Sequence, residues 1–344
     1  MVAAQRSLQK GGTLGTCPAQ AANYSSPKVA DCLYTADLNA YTVSIIKNFR
    51  GDCHVSPRNL EKQLSDKGVV YVAMGARFVE EAQISACSVR KHMPHLPITL
   101  FTDSPPAHSD LFDRVSHLTR SGPKPHRDKL VGMMRSPYEQ TLFLDTDTFI
   151  GADVSDLFEI LRHFDMAATL DWGYRDNFPK GTGVPDAFRE FNLGVVFFRW
   201  STAMLDTLAR ALSMYDQLGE QALGFDQPAF RIVSYDSTLR TAVLSAEYNC
   251  RFANFGQVTG EVKILHGRIP RGRHSEHNLA NVLARINRTQ IPRVFVAGRV
   301  HALARNPLPF SRPYFDRQMG SLFPPALLYN LRELLRRLRR GFKR

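Results

Sequence analysis

From Gly68 onward the apolar positions fall alternately into short continuous runs and helical spacings, and this alternation sets the fold class. Val69-Val70-Tyr71-Val72-Ala73 is a β-branched and aromatic run of strand length. Gly75 follows, and Val79, Ala82, Ile84, Ala86 and Val89 then recur at helical spacing between Phe78 and His92. Ile98 to Thr102, behind Pro94 and Pro97, is a second strand. Strand, helix and strand within about 35 residues form a βαβ unit, which favours a parallel sheet with right-handed crossovers.

The same pattern continues. Asp128 to Ser136 reads as a helix and Thr141 to Leu144 as a buried strand running into Asp145. Met166 to Leu170 is another strand, and Trp172 to Arg189, rich in Gly, Pro and Asp, reads as a surface loop. Val195 to Phe198 is a strand preceded by Asn192 and Gly194, and Thr202 to Gln217 is helical. Asp226-Gln227-Pro228 starts a helix within Phe225 to Val233, and Val262 to Leu265 is a last strand leading into His266-Gly267. The pattern predicts an α/β protein with a mixed, mostly parallel central sheet flanked by helices in a single main domain, residues 67–310.

The ends differ from this domain. Residues 1–66 hold few long apolar periods and one short helical stretch, Leu38 to Phe49, so they read as a loosely ordered extension. In residues 311–344, Leu327, Leu328, Leu331, Leu334, Leu335 and Leu338 lie at helical spacing after Pro324-Pro325, with arginines on the remaining face. This basic amphipathic tail either docks on the domain or lies on an anionic membrane surface. Asn330 to Arg344 carries seven basic residues and one acid, a net +6 out of +12 for the chain. The basic excess is therefore largely a tail, with only Tyr329 and Phe342 to stack on bases, and nucleic acid is not an expected partner.

No apolar run reaches the roughly 18 residues that span a bilayer, and Met1 to Lys10 does not resemble a secretory signal. Five scattered cysteines, with no C-x-x-C, read as reduced thiols. The expected location is cytoplasmic, with the tail allowing a peripheral place on the cytoplasmic face of a membrane. Nothing in the pattern fixes an oligomeric state.

In open α/β sheets ligands sit beyond the carboxyl ends of the strands, where Asp103 and Asp145 fall. Asp145-Thr146-Asp147 places two carboxylates beside each other at the end of an apolar strand, a costly arrangement unless a cation satisfies both. Hard oxygen ligands suit Mn²⁺ or Mg²⁺, which would offset charge on a departing diphosphate. The alternative is that the two aspartates cap a helix beginning near Asp153 or accept backbone hydrogen bonds in a turn.

Tyr71 to Gly75, Phe101-Thr102-Asp103, Leu142 to Asp147, Phe191 to Val195, Asp226-Gln227 and Leu265-His266-Gly267 occur in one order. In this order, across roughly Val69 to Gly267, the chain resembles the GT-A nucleotide-diphospho-sugar transferases, particularly glycosyltransferase family 8. The resemblance implies a Rossmann-like GT-A fold and a metal-dependent glycosyltransferase that takes a nucleotide-diphosphate sugar as donor and a glycan, lipid or protein as acceptor. It implies metal ligation by Asp145, Asp147 and His266, and a nucleotide-binding set of Ala73, Gly75, Asp103, Lys129, Asp145 and Gly267. It also implies catalytic positions at Asn192, Asp226 and Gln227, beside the donor sugar.

Two segments depart from the family. Met74-Gly75-Ala76-Arg77 stands where an acidic or asparagine-rich turn is common. The longer motif after the final histidine is missing, leaving Arg268, Arg271 or Arg273 to supply positive charge. Retention of configuration is favoured; Asp171, Asp186 and Asp226 are the candidates for an inverting general base.

Bland roles stand beside these: His266 as a core histidine, Lys129 as a solvated helix residue, Asp226 as a helix cap and Asn192 as a turn residue. The rival functions are a haloacid-dehalogenase-type phosphohydrolase, whose strand-end D-x-D is similar, and a catalytically silent sugar-nucleotide binder.

Overall fold

The computed structural model describes residues 65–302 apart from 123–124, 172–178, 180, 223, 271, 289–291 and 297–298. The short helix expected at Leu38 to Phe49 and the C-terminal tail lie outside the described residues, as does the extension 1–66 except for Ser65 and Asp66, which open the first strand.

In chain order the elements are β1 (Ser65–Ala73), α1 (Ala76–His92), β2 (Ile98–Thr102), β3 (Arg114–His117), α2 (Pro125–Met134), β4 (Tyr138–Leu144) and β5 (Thr148–Ile150). There follow β6 (Met166–Leu170), β7 (Phe191–Arg199), α3 (Thr202–Leu218), α4 (Gln227–Tyr235) and β8 (Thr241–Val243). Last come β9 (Phe255–Val258), β10 (Ile264–His266), α5 (Glu276–Ile286), β11 (Arg293–Val296) and β12 (Arg299–Ala302). The main sheet runs β3-β2-β1-β4-β7-β6-β8. Only β7 is antiparallel to its neighbours, β4 and β6. This is the mixed, mostly parallel sheet flanked by helices that the apolar pattern predicts. No helix among the described residues is long and apolar enough to cross a membrane.

Three readings are corrected. Asn192 and Gly194 lie inside β7, which begins at Phe191, and His266 is the last residue of β10 rather than the residue beyond it. The strand at Ile264 is not the last, because β11 and β12 follow and join β9 in a separate antiparallel sheet. Helix α5 was not read from the sequence; Ser275 caps it by accepting from the Asn278 N–H at 3.4 Å.

Helix α1 is buried along two stripes. Val79, Ala82, Ala86 and Val89 belong to the main core with Val69, Tyr71 and Leu144. The second stripe, Glu81, Ser85 and Ser88, is polar, spaced i, i+4 and i+7, and packed toward β5. There Thr148 Oγ1 donates to the Asp145 carbonyl at 2.8 Å. Having spent its proton, Thr148 must accept from Ser85 Oγ at 2.8 Å, and Ser85 in turn from Tyr71 OH at 2.8 Å. The hydroxyl chain thus ties β1 and α1 to the turn that carries Asp145. On the other face of the sheet, α2 approaches β1 through Gly132, where any Cβ would collide with Val72 Cγ2. This close approach seats Lys129, one turn earlier, over the strand ends.

A second apolar cluster, including Phe149, Cys250, Phe252, Leu265, Leu279 and Phe295, supports the β5–β10 ribbon. Beside it, Glu247 accepts from the N–H groups of Thr259 at 2.6 Å and Gly260 at 2.8 Å. Burial would raise the Glu247 pKa, but these donors hold it down at about 2, against an ordinary 4.5. Because the folded value is depressed, the stabilisation is full above pH 4.5 and is lost as pH falls toward 2. Glu247→Gln is expected to cost about 2 kcal/mol at pH 7. Urea unfolding should show the gap between wild type and variant closing over that window; a gap independent of pH would refute the role of the charge.

Candidate metal centre

Asp145 directly follows the last residue of β4. Its N–H donates to the Gly194 carbonyl at 2.8 Å and its carbonyl accepts from the Thr148 N–H at 3.2 Å, closing a tight turn around Thr146 and Asp147. β5 then pairs with β10 in antiparallel register, His266 opposite Thr148, and the Gly267 N–H donates to the Asp147 carbonyl at 2.9 Å. Sheet pairing therefore brings together residues about 120 positions apart in sequence. His266 Nε2 lies 3.6 Å from Asp145 Oδ2 and 3.4 Å from Asp147 Oδ1. One ligand atom from each of the three residues falls within 4.8 Å of the others.

Two carboxylate oxygens and an imidazole nitrogen gathered this closely could hold one divalent cation. Gly194 keeps the space open: a Cβ there would collide with His266 Cε1 and lie 2.7 Å from His266 Nε2 and 2.8 Å from Asp145 Oδ2.

The tautomer of His266 follows from a chain of hydrogen bonds. The Gly194 N–H, a fixed donor, points at Asn192 Oδ1 at 3.1 Å, so Asn192 Nδ2 faces Asp171 Oδ2 at 3.3 Å. Asn249 Nδ2 donates to the same Asn192 oxygen at 2.8 Å, which turns Asn249 Oδ1 toward His266 Nδ1 at 2.8 Å. Nδ1 must carry the proton, and in the neutral ring Nε2 presents its lone pair to the two carboxylates, as a metal ligand requires. Asn249→Ala is expected to weaken Mn²⁺ binding about 10- to 100-fold, the usual cost of losing such a partner. A calorimetric titration matching wild type would contradict this orientation.

Two cations flank the centre. Lys129 is 7% exposed and its Nζ lies 3.0 Å from Asp145 Oδ1 and 3.2 Å from Asp226 Oδ2. Burial would lower the Lys129 pKa, but Asp145 and Asp226 overcome this and raise it, so the ammonium stays charged. Arg268 Nη1 lies 3.2 Å from Asp147 Oδ2. Burial would raise the Asp147 pKa; the charged form of His266, protonated at Nε2 when no cation takes that lone pair, and the Arg268 guanidinium bring it well below the carboxylate range.

The bland roles fare differently. His266 is buried with Nδ1 satisfied by Asn249, as a core histidine would be, and Asn192 Oδ1 accepts from the Gly194 N–H two residues on, as a turn residue would. Lys129 and Asp226 depart from theirs. Lys129 is buried and paired rather than solvated. Asp226 stands at the N-cap of α4 without making a side-chain cap bond, and its carboxylate turns to Lys129 and to His126 Nδ1 at 3.5 Å. Asp145 and Asp147 turn their side chains to Lys129, His266 and Arg268.

Gln227 Nε2 donates to Asp171 Oδ2 at 2.6 Å, where Arg251 Nη1 also donates at 2.6 Å. Asp171, Asn192, Gln227 and Asn249 thus form one buried network that reaches His266. Ala73, Gly75 and Asp103 make a separate group at the ends of β1 and β2. The Gly75 N–H donates to Asp103 Oδ1 at 2.6 Å and Arg120 Nη2 lies 3.4 Å from Asp103 Oδ2. No hydrogen bond or ion pair among the described residues joins this group to Asp145, Asp147 or His266. Of the three arginines proposed to supply positive charge, Arg268 reaches the centre, Arg273 is exposed and Arg271 lies outside the described residues.

No protein-family model matches the chain, and no curated protein does. Among solved structures it is similar to the glycosyltransferase GlyE of Streptococcus pneumoniae TIGR4, at 18% identity and a TM-score of 0.44, over 61% of this chain and 58% of that one. It is also similar to the bifunctional glycosyltransferase WbbM, at 16% identity and a TM-score of 0.41, over 55% of this chain and 40% of that one. The galactosyltransferase LgtC, solved with donor and acceptor sugar analogues, matches at 11% identity and a TM-score of 0.44, over 63% of this chain and 95% of that one. The chain therefore spans less than two thirds of GlyE and WbbM. Likeness at this level carries no functional weight, which falls on the residues.

Sequence reasoning missed Asn249, Arg251 and Glu81. Asn249 lies two residues beyond Glu247 in an irregular segment with no periodicity to mark it. Arg251 reads as one more basic residue in a basic chain. Glu81 sits among the apolar residues of α1, and its buried neighbours Ser85 and Ser88 at i+4 and i+7 are the one pattern that could have revealed a second buried face.

Proposed function

We propose that this chain is a metal-dependent glycosyltransferase that moves a sugar from a nucleotide-diphosphate sugar to a glycan, lipid or protein acceptor. The observation that carries this reading is the convergence of Asp145 Oδ2, Asp147 Oδ1 and His266 Nε2 at the carboxyl end of β4, around a space that only glycine at position 194 leaves open. Mn²⁺ or Mg²⁺ held there would supply positive charge against the diphosphate leaving group. Lys129 and Arg268, both fixed by carboxylates, add positive charge on either side, so that a diphosphate meets preorganised cations rather than water. Asp226, Gln227 and Asn192, immobilised by Lys129 and Asp171, offer fixed polar groups for the donor sugar.

Retention of configuration is part of the proposal. Of the candidate general bases, Asp171 is committed to Arg251, Gln227 and Asn192, and Asp226 to Lys129 and His126. A base must be able to take a proton; burial would raise the Asp226 pKa, but Lys129 and His126 lower it, and the Asp171 carboxylate is paired with Arg251 at 2.6 Å. Asp186 is exposed at the surface.

Thermal unfolding in the presence of nucleoside diphosphates and sugar nucleotides tests the donor class. A midpoint that rises with one nucleotide plus Mn²⁺ or Mg²⁺, and returns with chelator, is the expected result. A well-folded protein that no nucleotide stabilises under any metal condition would sink the reading.

A further inference from the structure

Glu81 is a carboxylate buried to 6% exposure on the second stripe of α1, and no step of the proposed reaction uses it. Its two oxygens grip the Arg268 fork, with Nε to Oε1 at 2.8 Å and Nη2 to Oε2 at 2.6 Å. Thr146 Oγ1, from the residue between the two aspartates, donates to Glu81 Oε2 at 3.2 Å. Arg77, one turn earlier on α1, lies 3.5 Å from Glu81 Oε1. The Arg268 guanidinium covers the Phe78 ring at 5.5 Å, which fixes its plane. Its remaining terminal nitrogen, Nη1, reaches Asp147 Oδ2 at 3.2 Å.

The consequence lies in how Asp147 is turned. One carboxylate oxygen, Oδ2, is occupied by Arg268, which leaves Oδ1 directed at His266 Nε2. We propose that Glu81 is a positioning residue: by holding Arg268 with both oxygens it fixes the Asp147 carboxylate with Oδ1 toward Asp145 and His266, and so sets the affinity of the centre for a divalent cation. This inference rests on the metal-centre reading above and extends it to a residue on a different element.

Two effects give it direction. Without the Glu81 charge the guanidinium, 40% exposed, is no longer anchored and leaves Asp147 free to rotate. The positive charge of Arg268 is also no longer offset, and it then opposes an incoming cation. Both effects lower metal affinity. A role confined to packing α1 would change the unfolding midpoint and leave the affinity of the folded protein alone.

Mn²⁺ binding is measured by calorimetric titration of the full chain without nucleotide, well below the unfolding midpoint of each variant. Glu81→Gln is expected to weaken binding about tenfold or more, the scale on which outer-shell partners act. Arg268→Lys keeps the charge and loses the fork, and it should weaken binding as well. In an Arg268→Gln background the further change Glu81→Gln should alter affinity by less than about twofold, because the two residues act as one unit. Wild-type affinity in Glu81→Gln overturns the proposal, and so does an equally large Glu81 effect when Arg268 is already Gln. Absence of Mn²⁺ binding in wild type, matched by Asp147→Asn, would instead overturn the metal-centre reading and this inference with it.

Discussion

Asp147→Asn is expected to lower metal-dependent sugar transfer about a thousandfold or more while leaving the protein folded. A cation stabilising transition-state charge contributes several kcal/mol, and each 1.4 kcal/mol or so is a factor of ten in rate. Asp147 supplies one of the three ligand atoms, and the Arg268 guanidinium 3.2 Å from Oδ2 favours its ionised form. The substitution keeps the shape and removes the charge. It strands no cation: Arg268 keeps both bonds to Glu81, and His266 keeps its bond to Asn249. The loss of stability should therefore stay below about 2 kcal/mol. Initial rates and thermal midpoints on the same preparation make the test. Activity at the wild-type level would remove Asp147 from the centre.

Gly194→Ala should have a comparable effect on function by a different route. The added methyl would occupy the space between His266 and Asp145, in the interior of a strand whose neighbours are all buried. Overpacking of this kind costs about 1–3 kcal/mol and must push His266 or Asp145 out of register with Asp147. The expected signature is a protein that still unfolds cooperatively, at a lower midpoint, and that Mn²⁺ no longer stabilises. Asp147→Asn removes a ligand and Gly194→Ala removes the volume, so agreement between them would locate the ion between these residues. A Gly194→Ala protein stabilised by Mn²⁺ as wild type is would put the ion elsewhere.

Sequence and structure agree most closely where chemistry coincides with a strand end. Asp145 is visible because Leu142-Phe143-Leu144 can only be a buried strand, and two acids directly after it demand a partner. Asn192 and Gly194 are misread for a related reason. Asn and Gly are poor strand residues, so the pattern begins the strand at Val195, whereas β7 begins at Phe191. The centre needs an amide and an absent side chain at those two positions, and the neighbouring strands β4 and β6 hold them in place.

Only the family resemblance named His266; the sequence by itself determined the α/β class, the longer strands and helices from β1 to α4 and the two aspartates at the end of β4. Those features depend on local periodicity and on the cost of burying charge, both of which are written along one dimension. Only the tertiary structure decided which polar residues serve the centre from outside it. Glu81, Asn249 and Arg251 become partners of Arg268, His266 and Asp171 because the β5–β10 pairing lays distant segments against α1 and β7. A hydrogen bond reaches only about 3 Å. Which of many polar side chains falls within that reach is fixed by packing across the whole domain, and nothing in the neighbourhood of each residue along the chain encodes it.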